Sequence, residues 1–271
     1  MSKLLCVDLD GTLLDDDKNV SSGDKAAILE ALENGHKFAI VTGRPLASAL
    51  KVAKESGLMI EGSYIATFNG GQVYDCSKGE IISEVRMPIE YAEYVFKKAK
   101  EAGLHVHTYK DEYVVCDRES DELKFYLKNT KLESIIDDNP LGVLDKNPIK
   151  LIVMSLNGRE VLEPFRDSLK EWCEGKLSSI FSNPCLLEYS SPDIGKGNAI
   201  RQLSKLLSVD ICDVIACGDE ENDISMIEAA GVGVAMKNAT DPVKAVADYI
   251  TEKTNNEQGI KEVIDRFILP N

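Results

Sequence analysis

The chain has 271 residues, 44% hydrophobic and 28% charged, the balance of a soluble globular protein and not of a disordered, collagen-like or low-complexity one. At roughly 150 residues per domain, that length predicts about two domains. Lys and Arg total 31 against 46 Asp and Glu, so the net charge is −15; this repels nucleic acid and anionic membrane surfaces, and no basic run offsets it.

Residues 3–8 (KLLCVD) form a short apolar run closed by polar residues and Gly, the pattern of a buried strand. A helix is predicted from about Ser22, with Ile28, Ala31 and Leu32 on one face and Gly35 at its end. The strand 37–41 then runs into Thr42-Gly43-Arg44. Pro45 suits the first turn of a second helix, in which Leu46, Ala49, Leu50 and Ala53 repeat at helical spacing. A third strand, Tyr64 to Thr67, ends at Asn69-Gly70-Gly71. Strands alternating with helices predict a parallel sheet covered on both faces.

The middle of the chain follows another pattern. Helices are predicted at 88–102, 119–128 and 158–172, with strands at 104–108, 113–116, 149–154, 178–181 and 185–189. Loops at Asp137–Pro140 and Asp145–Pro148 punctuate them. This reads as an inserted α+β domain. After it the first grammar returns: a helix from about Gly197, a strand at 213–216, a helix to about Ala230, a strand at 232–235 and a final helix.

No stretch approaches the roughly 18 consecutive apolar residues of a membrane span. The opening MSKLLCVDLD is too short an apolar run for the core of a signal peptide. The seven Cys show neither a C-x-x-C pair nor zinc spacing, and Cys6, Cys116 and Cys217 sit in apolar runs as small buried hydrophobes. The expectation is a reduced, cytoplasmic protein. Nothing in the sequence sets an oligomeric state.

Ligands of parallel α/β sheets bind beyond the carboxyl ends of the strands. The first strand ends in Asp8-Leu9-Asp10-Gly11-Thr12, the second in Thr42-Gly43-Arg44, and a later one in Gly218-Asp219-Glu220-Glu221-Asn222-Asp223; Lys196 opens a helix. Each motif alone is an ordinary turn, helix cap or surface lysine. Together, in order, they gather up to four carboxylates, a hydroxyl and an ammonium at one edge. Two like charges about 4 Å apart repel by roughly 4 kcal/mol at an effective dielectric near 20. Either some of these acids are protonated or a hard divalent cation such as Mg²⁺ holds them together.

Other chemistries fail. No Cys is followed by Arg at the spacing a cysteine phosphatase needs, and Gly195-Lys196 does not complete a phosphate-binding loop. The three His form no metal set. His105 and His107 alternate on one face of a strand, from which they could reach substrate, although a solvated or core-edge position is expected; Trp172 is expected to pack.

DLDGT at 8–12, VTGR at 41–44, Lys196 in IGKGNAI and GDEEND at 218–223 resemble, in that order, the four motifs of the haloacid dehalogenase-like hydrolase superfamily. The chain is most similar to the Cof-type phosphatases, whose cap domain is inserted between the second and third motifs. The likeness extends to NGGQVYD at 69–75 and AMKNATDPVKAVADYIT at 235–251. It departs at Gly195, where relatives usually carry a small polar residue.

The resemblance implies a Rossmann-like α/β core at 1–83 and 190–271 and an α+β cap at 84–189 that closes over the site and selects the substrate. It implies that Asp8 is the nucleophile and Asp10 the general acid and base. Thr42, Gly43, Arg44, Lys196 and Asn222 would contact the phosphate or substrate. Mg²⁺ would be held by the Asp8 carboxylate, the Asp10 backbone carbonyl and Asp219, with Asp223 in support. The function implied is a Mg²⁺-dependent phosphatase acting on small phosphorylated metabolites, sugar phosphates foremost. A hexose phosphomutase and a non-enzymatic phospholigand sensor stay open as alternatives.

Overall fold

The computed structural model describes residues 2–269. The chain separates into two compact units, one comprising the residues up to Ser83 together with those from Ile194 onward, the other Glu84–Asp193.

In the first unit β1 (Leu4–Val7) is buried along its whole length, as a strand covered on both faces must be. The Ser21 hydroxyl caps α1 (Ser22–Glu33) by accepting from the Asp24 N–H, one of the donors a helix start leaves unpaired. β2 (Lys37–Val41), α2 (Leu46–Glu55) and β3 (Ser63–Thr67) continue the alternation. Two strands absent from the sequence reading follow, β4 (Gln72–Asp75), antiparallel to β3, and β5 (Glu80–Glu84). Neither has the apolar run of a central strand: β4 is mostly buried but carries the polar Gln72 and Asp75, and β5, partly exposed, is the edge strand of the sheet.

The second unit holds α3 (Ile89–Glu101), β6 (His105–Lys110), β7 (Tyr113–Cys116), α4 (Asp121–Thr130), β8 (Glu133–Ile136), β9 (Lys150–Met154), α5 (Arg159–Cys173), β10 (Ser178–Asn183) and β11 (Leu186–Ser190). The half-exposed β8, also unexpected, closes one edge of a six-stranded sheet ordered β10-β11-β9-β6-β7-β8. β11 runs one residue past the predicted strand, because Ser190 still pairs with Lys150.

One face of this sheet, with Val106, Leu151, Val153, Leu187 and Tyr189, shares a core with Val95 and Phe96 of α3 and Leu162, Phe165 and Leu169 of α5. Trp172 packs against that cluster and stacks on Tyr94 with ring centroids 3.9 Å apart. The other face carries polar groups. Lys150 Nζ donates to Glu188 Oε2 at 2.9 Å, His105 Nε2 and His107 Nδ1 lie 3.1 Å apart, and the hydroxyls of Tyr109 and Tyr126 bond to each other. Both histidines are buried, which corrects the solvated or core-edge expectation: alternation put them on one face but could not say that the face is covered. Burial holds His105 down to about 4 and His107 well below the ordinary range, so both are neutral.

The chain returns with α6 (Lys196–Leu207), β12 (Val214–Gly218), α7 (Ile224–Ala229), β13 (Val232–Ala235), α8 (Asp241–Val246), β14 (Tyr249–Ile250) and α9 (Gly259–Val263). The first unit's sheet is ordered β14-β13-β12-β1-β2-β3-β4-β5 and is parallel from β14 to β3. Alternate residues enter opposite cores. Leu5, Val7, Phe38, Ile40, Ile215 and Cys217 pack with α1 and α9 residues, whereas Leu4, Cys6, Ala39, Val41, Val214 and Ala216 pack with Ala199, Ile200 and Leu203 of α6. The sheet is therefore covered on both faces. No helix among the described residues is long and apolar enough to cross a membrane.

Gly197 lets α6 approach α7 closely: a Cβ there would lie 2.4 Å from the Ser225 carbonyl oxygen. Gly197→Ala is predicted to cost about 1–3 kcal/mol through overpacking. Urea denaturation checks it, and an unchanged midpoint would contradict the close approach.

Candidate active site

The register of three adjacent strands builds the site. Val7 lies opposite Cys217 on β12 and Ile40 on β2. The chain therefore leaves β1, β2 and β12 along one carboxyl edge, where Asp8, Thr42 and Asp219 follow within two residues of those pairs. Asp8 N–H donates to the Cys217 carbonyl at 3.0 Å and Thr42 N–H to the Ala66 carbonyl at 2.9 Å, which fixes both backbones.

At the start of α6, Lys196 is buried and joins two acids. Its Nζ donates to Asp8 Oδ1 at 2.8 Å and to Asp223 Oδ1 at 2.5 Å. The other oxygen of Asp223 accepts from the backbone N–H groups of Asp219 and Glu220 at 3.0 and 3.1 Å. Thr12 Oγ1 donates to Asp219 Oδ1 at 2.6 Å. Gly11 permits that approach: its φ is +76°, and a Cβ would sit 2.1 Å from Asp219 Oδ2. Gly195 is different, since its φ is 174° and a Cβ would meet nothing within 4 Å. The departure at that position changes no contact.

Asp8, Asp219 and Asp223 each offer a carboxylate oxygen within 4.8 Å of one another. Burial pushes Asp8 up to about 6, with Lys196 pulling the other way. Burial also raises Asp219 to about 7, opposed by the Thr12 hydrogen bond. Burial disfavours the charged form of Lys196, but Asp8 and Asp223 outweigh it and hold the ammonium well above its ordinary range. Fully ionised, the three acids exceed the one ammonium by two negative charges. An all-oxygen donor set with that deficit fits a hard divalent cation. Asp223 is committed to Lys196 and to backbone donors, which leaves Asp8 and Asp219 as the carboxylates available to a metal.

Asp10 stands apart from this group. Arg44 Nε donates to its Oδ2 at 2.8 Å, Arg44 Nη2 to its Oδ1 at 2.6 Å, and Lys18 Nζ to its Oδ1 at 2.9 Å. Burial would raise its carboxyl, but the bonds from Arg44 and Lys18 prevail and hold it below the usual range. Arg44 is thus engaged with Asp10, and its backbone N–H donates to Thr42 Oγ1 at 3.2 Å. Gly43 lies between them, against the Asn69 side chain, where a Cβ would come 3.1 Å from Asn69 Oδ1. Asn222 is exposed on the turn before α7. Thr12 was legible only as part of DLDGT, and Lys18 carried no signal, because its bond depends on how the loop after β1 folds back.

A family model for haloacid dehalogenase-like hydrolases matches residues 5–264. A Streptococcus pyogenes protein that carries a provisional phosphatase name is 32% identical over 98% of each chain. The 5-amino-6-(5-phospho-D-ribitylamino)uracil phosphatase YcsE of Bacillus subtilis is 29% identical over 98% of this chain and 96% of its own. Among solved structures, a haloacid dehalogenase-like hydrolase from Bacteroides thetaiotaomicron has a TM-score of 0.88 and 30% identity, covering 98% of this chain and 99% of that one. The chain belongs to the haloacid dehalogenase-like hydrolase family and is a phosphatase of its Cof-type group.

Two predictions follow from the charges. Lys196→Met leaves two buried carboxylates without their cation and is expected to cost about 3–5 kcal/mol at pH 8, less at pH 5, where protonation relieves them; chemical denaturation at both pH values tests this. With Asp8 raised to about 6 and Asp219 to about 7 from 3.8, the folded state holds more protons than the unfolded one between these values. Their contribution to stability in metal-free protein therefore falls as pH rises from about 4 to 7. Asp219→Asn should flatten that slope in thermal melts; an unaltered slope contradicts the assignment.

Proposed function

We propose that the protein is a Mg²⁺-dependent phosphomonoesterase that hydrolyses small phosphorylated metabolites, with sugar and polyol phosphates as the substrate class. The carrying observation is the group Asp8–Lys196–Asp223 beside Asp219: a carboxylate at a strand end, held by a buried ammonium, in a cluster two positive charges short.

Asp8 attacks phosphorus; an O–P bond forms to its carboxylate as the bond to the leaving oxygen breaks. Asp10, protonated, gives its proton to that oxygen, then takes one from the water that attacks the aspartyl phosphate and restores Asp8. Because Asp10 is ion-paired to Arg44 and Lys18 here, its acid form requires release from those cations. Lys196 and the Thr42 hydroxyl hold phosphoryl oxygens as charge shifts among them, with Asn222, Gly43 and Arg44 as further contacts. Mg²⁺ would be held by the carboxylates of Asp8 and Asp219 and the Asp10 backbone carbonyl, and when bound it offsets the repulsion between the ester dianion and the acids.

The inserted unit selects the organic part of the substrate. The named substrate of the Bacillus subtilis relative YcsE carries its phosphate on a ribityl chain, which supports a polyol phosphate class. A cytoplasmic location is part of this reading and rests on the spacing of the seven cysteines, which suits no disulfide framework.

Purified protein should release inorganic phosphate from sugar and polyol phosphates, lose turnover on chelation and regain it with Mg²⁺. Asp8→Asn should lower kcat by about 10³-fold or more, and Asp10→Asn by roughly 10²–10⁴-fold. Phosphate release that persists in Asp8→Asn, or ignores chelation, overturns the reading. Isomer formation without phosphate release would identify a mutase instead.

A further inference from the structure

The loop after β13 reaches the site from outside the four motifs. Thr240 N–H donates to the Asp219 carbonyl at 3.0 Å, and the Met236 N–H to the Gly218 carbonyl at 3.0 Å. Between them, Asn238 Nδ2 donates to the Gly11 carbonyl at 2.7 Å, across 227 residues of sequence. Gly11 leads into Thr12, whose hydroxyl holds Asp219 Oδ1 at 2.6 Å. The contacts close a ring: Asn238 to Gly11, Thr12 to Asp219, and Asp219 back to Thr240.

A second strut fixes Asn238 itself. Its Oδ1 accepts from the Asn255 N–H at 3.1 Å, and the buried Asn255 side chain donates to the Leu14 carbonyl at 2.9 Å. Asn256 Oδ1 accepts from the Asp16 N–H at 3.0 Å. The loop carrying Asp10, Gly11 and Thr12 is thereby tied at Gly11, Leu14 and Asp16 to the late segments 236–240 and 255–256. Asn238 is exposed and adds nothing to either core. Its side chain sits where it settles the distance between the Asp8–Thr12 turn and Asp219.

We propose that Asn238 is a positioning residue, which presets the separation of Asp219 from the Asp8–Thr12 loop so that a divalent cation finds its oxygen donors in place. This rests on the Mg²⁺-phosphatase reading. The physical basis is preorganisation: ligand groups held at their binding distance before the ion arrives need no reordering when it binds. Loss of the Asn238 hydrogen bond leaves the fold intact but loosens the turn. The side chain must donate, because its partner is a carbonyl; an aspartate there would set an oxygen against the Gly11 oxygen.

The test compares the unaltered protein with Asn238→Ala, Asn238→Asp and the neighbouring exposed Lys237→Ala. Thermal melts of metal-free protein titrated with Mg²⁺ alone give the binding midpoint; steady-state phosphate release at limiting and saturating Mg²⁺ gives the kinetic one. The Mg²⁺ midpoint is expected to rise about fivefold in Asn238→Ala, the equivalent of one hydrogen bond, and further in Asn238→Asp. The metal-free melting temperature should change by no more than about 4 °C. Saturating Mg²⁺ should restore kcat in Asn238→Ala, and Lys237→Ala should match the unaltered protein. A Mg²⁺ midpoint unchanged in both Asn238 variants overturns the proposal, as does a fall in metal-free stability without a change in midpoint. If the unaltered protein itself gives no Mg²⁺ response, the Mg²⁺-dependent reading fails and takes this inference with it.

Discussion

The structure is organised around an electrostatic debt at the end of a parallel sheet. Three acids from two strand ends and the following turn are buried together, and one ammonium, Lys196, answers two of them. Low-dielectric surroundings make that imbalance costly, which appears as carboxyls at Asp8 and Asp219 that hold their protons to unusually high pH. Hydrogen bonds hold the acids in place: Lys196 on Asp8 and Asp223, Thr12 on Asp219, and two backbone N–H groups on Asp223. A divalent cation would by itself offset the two-charge deficit that the three acids and one ammonium leave. Asp223 shows the division of labour within the cluster. It spends one oxygen on Lys196 and the other on two backbone donors, so it shapes the turn that presents Asp219.

Much of this was legible in the sequence, for physical reasons. Strands buried on both faces read as unbroken apolar runs, so β1, β2 and β12 were evident, and with them the edge where Asp8, Thr42 and Asp219 gather. The close approaches at Gly11 and Gly218 emerged only in the fold, where a Cβ would meet Asp219 and Asp223. What escaped were the partly exposed strands β5, β8 and β14, whose mixed polarity looks like loop, and β4, whose buried Gln72 and Asp75 interrupt the apolar run. Also hidden was the partner of Arg44. The resemblance implied a phosphate or substrate contact for Arg44; in the folded loop its guanidinium makes a bidentate pairing with the Asp10 carboxylate, a partner no spacing revealed. Asn238 and Asn255 could not be singled out at all: an asparagine in a turn is commonplace until its distant partner is known.

The second unit obeys a different rule. Its sheet buries an aliphatic face under two helices and a mixed face, where His105, His107, Tyr109, Lys150 and Glu188 lie beside Val114, Ile152 and Met154. Polar groups tolerate burial when they pair, and most of these do. The His107 Nε2 atom is an exception. A face built this way fixes side-chain directions more strictly than an apolar one would, because each hydrogen bond demands an orientation as well as a volume.

The ties between the loop after β1 and the residues near 255 have a kinetic meaning. β1 finds one of its two neighbours, β12, only after the whole inserted unit has been made, and the Leu14 carbonyl meets Asn255 across 241 residues. Contacts so far apart along the chain form late, since the entropy of closing such loops is spent before anything is gained. The inserted unit, with all its pairings local to one stretch, can ripen first as the ribosome releases it. The loop that follows Asp8 is thus held by segments 227 and 241 residues further along the chain, so it takes its final shape only after those segments have been made.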